Sequence, residues 1–159
     1  MLELVTIAPV PISSADAAGL IAQLDMELAR LYPDLRNSHS ELTPEQVSPG
    51  SGVFLIARTG TEPIGCGAVC RLNHSAGEIR RMFVLPAARG ARVGRRLLAE
   101  LEQYARQSGL NRLTLVTGAR QPDAIRLYER SGYVRIPSPP EYADTPVRIC
   151  MAKVLDRGT

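Results

Sequence analysis

The stretch Val84-Leu85-Pro86-Ala87-Ala88-Arg89-Gly90-Ala91-Arg92-Val93-Gly94-Arg95-Arg96-Leu97-Leu98 organises the reading of this chain. It leaves a β-rich segment, crosses a loop with two glycines and several arginines, and enters a run in which Val93, Leu97, Leu101 and then Tyr104 or Ala105 recur at helical intervals. A strand, a glycine-containing loop and an amphipathic helix in that order aim unpaired backbone N–H groups at one point, where the helix dipole and guanidinium groups attract an anion. The residues therefore point to a phosphate or pyrophosphate site. Gly90 and Gly94 suit it, because a side chain there could keep a ligand from the backbone or forbid the turn. A plain solvated strand-to-helix loop has the same outline, and the loop alone leaves that alternative open.

Working outward, the helix runs from about Val93 to Gln107 and ends at Gly109. On its N-terminal side lie short segments rich in β-formers: Val53–Ala57, Ile64–Leu72 and Glu78–Val84, separated by turns at Thr59–Glu62 and Asn73–Gly77. This pattern predicts an antiparallel meander. Strand alternation predicts Glu78, Arg80, Met82 and Val84 on one face of the last strand. Nearer the start, Glu3–Ile7 alternates as a strand. Ser13 or Ser14 then caps a helix whose Leu20, Leu24, Leu28 and Leu31 share a face until Pro33, and Thr43-Pro44-Glu45-Gln46 opens a second, short helix. Beyond the central helix, Leu113–Thr117 is a buried strand, Pro122-Asp123 starts a helix that stops at Gly132, and strands at Tyr133–Ile136 and Val147–Val154 flank a proline-rich loop.

The chain has 159 residues, 45% apolar and 22% charged, the profile of one soluble globular domain over residues 1–159. No stretch approaches the ~18 consecutive apolar residues of a membrane span, and the start lacks the basic and apolar regions of a signal peptide. A cytoplasmic location is expected. Three cysteines, Cys66, Cys70 and Cys150, are an odd set that argues against a disulfide framework. Lysine occurs once, at Lys153, which leaves Schiff-base chemistry and a phosphate-loop lysine almost without candidates.

Two motifs in this order carry a family resemblance. Arg89-Gly90-Ala91-Arg92-Val93-Gly94 resembles the acyl-CoA pyrophosphate loop of the GNAT N-acetyltransferases, Gln/Arg-x-x-Gly-x-Gly/Ala, with Arg92 standing where the family usually has glycine. Gln121-Pro122-Asp123-Ala124-Ile125-Arg126-Leu127-Tyr128-Glu129-Arg130-Ser131-Gly132-Tyr133 is similar to the family's Asn-x-x-Ala-x-x-Leu-Tyr-Glu-x-x-Gly-Phe signature, with Gln121 for the usual Asn. The resemblance covers roughly residues 53–153.

It implies an α/β (α+β) GNAT-like fold: a mixed, mostly antiparallel sheet of about seven strands flanked by helices, with one strand pair splayed to admit the cofactor and Val116-Thr117-Gly118 as the far wall. It implies acetyl-CoA as cosubstrate and direct transfer to a primary amine on a small molecule or peptide; homodimerisation stays open. Cofactor contacts fall on Met82, Phe83 and Val84 through strand backbone, on Arg89, Gly90, Ala91, Arg92, Val93, Gly94 and Arg95 in the loop, and on Gln121. Tyr128 matches the tyrosine beside the thioester sulfur, where a phenol can donate to the departing thiolate; the competing reading is a core aromatic. Glu78 matches a carboxylate that deprotonates the amine directly or through water. His74, in a turn, is a rival base. Glu41, Glu45, Glu141 and Asp144 would suit a cationic acceptor, or are simply solvated.

Other readings fail or rank lower. On a strand rising ~3.3 Å per residue, Cys66, Cys70 and His74 would sit ~13 Å apart, too far for one metal ion. Gly65-x-Gly67 has Cys70 at the third glycine position of a dinucleotide fingerprint, and no helix follows. Gly50-Ser51-Gly52 does not complete a nucleophile elbow. Six arginines between Arg80 and Arg96 raise nucleic-acid binding, yet Phe83 is the only aromatic among them, and a CoA pyrophosphate and 3′-phosphate account for the charge equally well. A catalytically silent acyl-CoA sensor is the remaining alternative.

Overall fold

The computed structural model describes residues 4–35, 41–142 and 147–156. Its elements are β1 (Val5–Pro9), α1 (Ala15–Leu31), β2 (Gly52–Thr59), β3 (Glu62–Arg71), β4 (Ala76–Val84), α2 (Val93–Gln107), β5 (Arg112–Gly118), α3 (Pro122–Arg130), β6 (Val134–Ile136) and β7 (Arg148–Val154). The strands form one sheet in the order β1-β2-β3-β4-β5-β7-β6, antiparallel except where β4 meets β5. The expected fold class is thus the observed one.

Helix boundaries follow local chemistry. Ser14 caps α1, its hydroxyl accepting from the Ala17 N–H at 3.2 Å. Pro122 opens α3, and Gly109 and Gly132, both at positive φ, follow the ends of α2 and α3. The second N-terminal helix is instead a four-residue 3-10 turn, Pro44–Val47. Thr43 and Gln46 close a reciprocal capping box at its N-terminus, and the Ser48 hydroxyl donates to the Glu45 carbonyl at 2.8 Å at its other end.

α1 covers one face of the sheet, and α2, with α3 beside it, covers the other. α2 buries Val93, Leu97, Leu98, Leu101 and Ala105 against Leu55, Val69, Ile79, Leu113, Leu115 and Met151. On the other face, α1 buries Ala17, Leu20 and Leu24 against Phe54, Ile56, Cys66, Ala68 and Phe83. Each fully buried leucine stabilises this layering by roughly 1.5–3 kcal/mol.

A β-bulge breaks the expected alternation in β4. Cys66 pairs with Phe83 but Ala68 pairs with Arg80, so Arg81 and Met82 together oppose Gly67. Arg81 takes a left-handed backbone, φ 57°. Glu78 and Arg80 therefore face α1, whereas Met82 and Val84 turn to the α2 side, against the single shared face that alternation predicted. Met82 settles beside Gly67, where a Cβ would meet its sulfur at 2.5 Å.

Among the described residues, one charged group lies in the core. Glu102 on α2 is 6% exposed. Its carboxylate accepts from the Tyr133 hydroxyl at 2.9 Å and the Lys153 ammonium at 3.0 Å, and Lys153 also donates to the Ser131 carbonyl at 2.8 Å. Lys153→Met strips that carboxylate of its closest cation, since Arg106 stands off at 3.8 Å. Denaturant unfolding should register a loss of about 1–3 kcal/mol.

Candidate active site

β4 and β5 share only three rungs, Ala76–Arg112, Gly77–Leu113 and Glu78–Thr114. Beyond Glu78 the strands part: β5 continues along β7 to Gly118, and β4 continues along β3 to Val84. The edge of β4 that faces the parting has no strand partner among the described residues, so its polar backbone groups stand open toward Met82 and Val84. A groove of about 1250 Å³ fills the parting. Glu78, Arg80, Arg81 and Met82 line one wall, Val116, Thr117 and Gly118 the other; Gln121, Ala124 and Tyr128 of α3 close one side and α1 covers another.

The predicted Glu78 and Tyr128 thus open into one groove. Burial raises the Glu78 carboxyl above its ordinary value, while the Arg80 guanidinium, 3.8 Å away, pulls it back down. Tyr128 is buried against Tyr133, ring centroids 5.9 Å apart and nearly edge-on, and burial pushes its phenol well above the usual range. The phenol is therefore protonated at physiological pH. His74 is exposed in the β3–β4 turn and does not line the groove. Cys66 and Cys70 are poor nucleophiles: burial pushes Cys66 to about 12 and raises Cys70 as well.

At the start of α2, the N–H groups of Gly90 to Arg95 donate to no backbone carbonyl among the described residues; the first helical bond runs from the Arg96 N–H to the Arg92 carbonyl. These are the open donors the loop motif predicts. Gly90 takes φ 91°, and Arg92 occupies the left-handed region at φ 63° that glycine would adopt freely. At Gly94 helix packing also demands a small residue. Its φ is ordinary, and a Cβ there would lie 3.2 Å from Leu127, so it lets α2 pack on α3.

Arg89 points away from the loop: it pairs with Glu27 of α1 at 2.8 Å and donates to the Val84 carbonyl at 2.9 Å. Gln121 also has a protein partner. The Tyr32 hydroxyl donates to its Oε1 at 3.2 Å and accepts the Arg120 N–H at 3.1 Å, while Arg120 holds Asp34 through both guanidinium nitrogens. This clasp ties the end of α1 to the β5–α3 loop, and it was not legible in the sequence because its members lie almost ninety residues apart. Of the acids considered for acceptor binding, Glu41 lines the groove, Glu45 and Glu141 do not, and Asp144 lies outside the described residues.

A mixed sheet parted at one strand pair, with an open helix N-terminus beside the parting, is the architecture of an acyl-CoA-dependent N-acetyltransferase. The chain belongs to the acetyltransferase (GNAT) family, whose model matches residues 21–133. It is 40% identical over 138 residues to the IAA acetyltransferase of Azospirillum brasilense, across 86% of this chain and 88% of that protein. Its fold superposes with a TM-score of 0.81 and 33% identity on a Klebsiella pneumoniae protein assigned to the acyl-CoA N-acyltransferases, over 96% of this chain and 99% of that one. A GNAT acetyltransferase from Elizabethkingia anophelis that carries bound acetyl-CoA shares the fold with a TM-score of 0.69 at 18% identity, over 95% of this chain and 98% of its own. No helix among the described residues is long and apolar enough to cross a membrane.

The left-handed Arg92 gives the loop a specific sensitivity. Arg92→Gly should leave stability within about 1 kcal/mol of the parent, because relief of a strain of ~1–2 kcal/mol is offset by a more flexible unfolded chain. Arg92→Val places a β-branched residue at the same φ and should cost at least a further ~1 kcal/mol in denaturant unfolding.

Proposed function

We propose that the chain transfers an acetyl group from acetyl-CoA to a primary amine by direct attack in a ternary complex. The observation that carries this reading is the convergence of Glu78, Tyr128 and the open edge of β4 on one groove. In the proposed assignment the thioester lies in the parting, with its pantetheine arm along Met82, Phe83 and Val84 and its pyrophosphate on the N–H groups of Gly90 to Arg95. Backbone N–H groups of β4 polarise the carbonyl. Glu78, directly or through water, takes a proton from the ammonium form and the freed amine attacks; the carbon–sulfur bond then breaks as Tyr128 protonates the leaving thiolate, and the second proton of the attacking nitrogen, lost as the amide forms, returns through water to the Tyr128 oxygen. Arg89 and Gln121 then act as second supports, through Glu27 and Tyr32, rather than as the first contacts with the cofactor.

The charge distribution supports this reading over nucleic-acid binding. Of the six arginines between Arg80 and Arg96, Arg81 pairs with Asp25, Arg89 with Glu27 and Arg80 faces Glu78. Half of the apparent basic patch is therefore used inside the molecule. The direct experiment is thiol release from acetyl-CoA over a panel of amines. CoA-induced stabilisation without thiol release from any amine would make the chain an acyl-CoA sensor instead.

Two variants test the roles. Tyr128→Phe keeps the ring contact with Tyr133 but deletes the donor. It should lower the single-turnover acetyl-transfer rate roughly 10-fold to 10³-fold while acetyl-CoA affinity stays within a few-fold; a parental rate would leave solvent as the proton source. Glu78 must be ionised to accept a proton, so kcat/KM should rise with pH through its elevated pKa. Glu78→Gln should lower the rate and remove that acidic limb. The same shift has a stability sign: protonation of Glu78 favours the folded state, and this contribution fades as pH climbs through its pKa.

A further inference from the structure

The side of the groove covered by α1 carries an ordered set of charges. Its helix wall is mainly apolar, formed by Ala18, Ile21, Ala22 and Leu28. The sheet beneath presents Glu78 and Arg80, which face α1, and Arg148, whose neighbour Ile149 packs into the core on the opposite face. Glu41 lies at the same end as Glu78: the 3-10 turn just after it covers Gly52, Gly52 pairs with Cys70, and Cys70 pairs with Glu78. Arg148 marks the other end. It pairs with Gly118, four residues along β5 from the Thr114 that pairs with Glu78, so the two backbones stand ~13 Å apart at ~3.3 Å per residue, a gap that a glutamate and an arginine side chain extended toward each other can narrow to the span of a small amino acid. On that partner the α1-facing space where a Cβ would lie is taken by the Tyr32 hydroxyl, held by the clasp with Gln121 and Arg120. The Arg148 Nε is withdrawn from solvent.

Resting on the acetyl-transfer reading, we infer that the acceptor is a small zwitterionic amine, whose amino group lies at the Glu41–Glu78 end of the groove and whose carboxylate or phosphonate is bound by Arg148 at the other, with an apolar body against α1. Anions suit this end because a guanidinium offers a planar fork of donors that matches two oxygens at once. Asp25, another acid of the groove, accepts from the Arg81 guanidinium at 2.9 Å. A long polyamine places a second cation against Arg148, where like charges repel. The α1 wall adds apolar area, which favours amino acids with aliphatic or aromatic side chains over glycine.

The experiment measures binding to CoA-saturated protein by calorimetry, using matched pairs: the N-acetyl derivatives of glycine, alanine, leucine and phenylalanine, each as free acid and as neutral amide. At least one acid should bind tenfold or more tighter than its amide. Arg148→Gln should erase that difference, and Arg148→Lys should restore part of it, since it keeps the charge and loses the fork. Equal or tighter binding of every amide to the parent overturns the inference without any variant, as does an acid preference that survives in folded Arg148→Gln. Failure of the acetyl-transfer reading registers elsewhere, as absence of stabilisation by CoA or of thiol release from all free amines.

Discussion

The site depends on the place where two neighbouring strands stop sharing hydrogen bonds. β4 and β5 pair for three residues and then diverge, and each keeps its outer partner, so the sheet stays continuous at one end and opens at the other. A row of backbone polar groups would be costly if left dry and unpaired. Here it borders a groove, where a ligand or water can satisfy it. The bulge at Arg81 belongs to the same constraint. It bends β4, turns Glu78 and Arg80 toward one helix and Met82 and Val84 toward the other, and is anchored from outside the sheet by the ion pair between Arg81 and Asp25. Replacing the bulge with regular pairing would move Met82 and Val84 to the α1 face and close the parting from below.

Much of this was legible residue by residue. The α2 bounds, Val93 and Gln107, follow from apolar spacing and the glycine behind it, and the start of α3 follows from Pro122. The meander follows from alternation and turn residues. What was hidden shares one physical character: it depends on a partner far along the chain. Nothing in Arg80-Arg81-Met82 announces a bulge, because arginine has no special affinity for a left-handed backbone; Gly67 across the strand and Asp25 on α1 create the conditions. Likewise Gly118 reads as an ordinary strand end until Tyr32 is seen 1.9 Å from where its Cβ would lie. The motif position of Arg89 suggested a ligand contact, whereas Glu27, on a helix more than fifty residues earlier, takes its guanidinium.

Arginine is used here as structural reach more than as surface charge. Arg58 ties β2 to Asp16 on α1, Arg81 ties β4 to Asp25, Arg89 ties the loop to Glu27 and Arg120 ties the β5–α3 loop to Asp34. Four acids spaced along and just beyond α1 thus each hold a different part of the chain. α1 forms one wall of the groove, and these contacts fix its height above the sheet and with it the width available to an acceptor. Exposed pairs of this kind contribute little energy singly, about 0–1 kcal/mol; their common direction matters more, because all four resist the same lifting motion of α1.

The single lysine has a chemical consequence of another kind. Lys153 is the only side-chain amine in the chain, and its nitrogen is committed to Glu102 and the Ser131 carbonyl. A protein that works beside a reactive thioester is exposed to stray acylation of its own amines, and amine-directed reagents normally decorate such proteins at many sites. This one offers them a single side-chain amine, which donates to a buried carboxylate. Acylation of side-chain amines is thereby confined to one address, and modification there would be read out as loss of the Lys153 cation that pairs with Glu102.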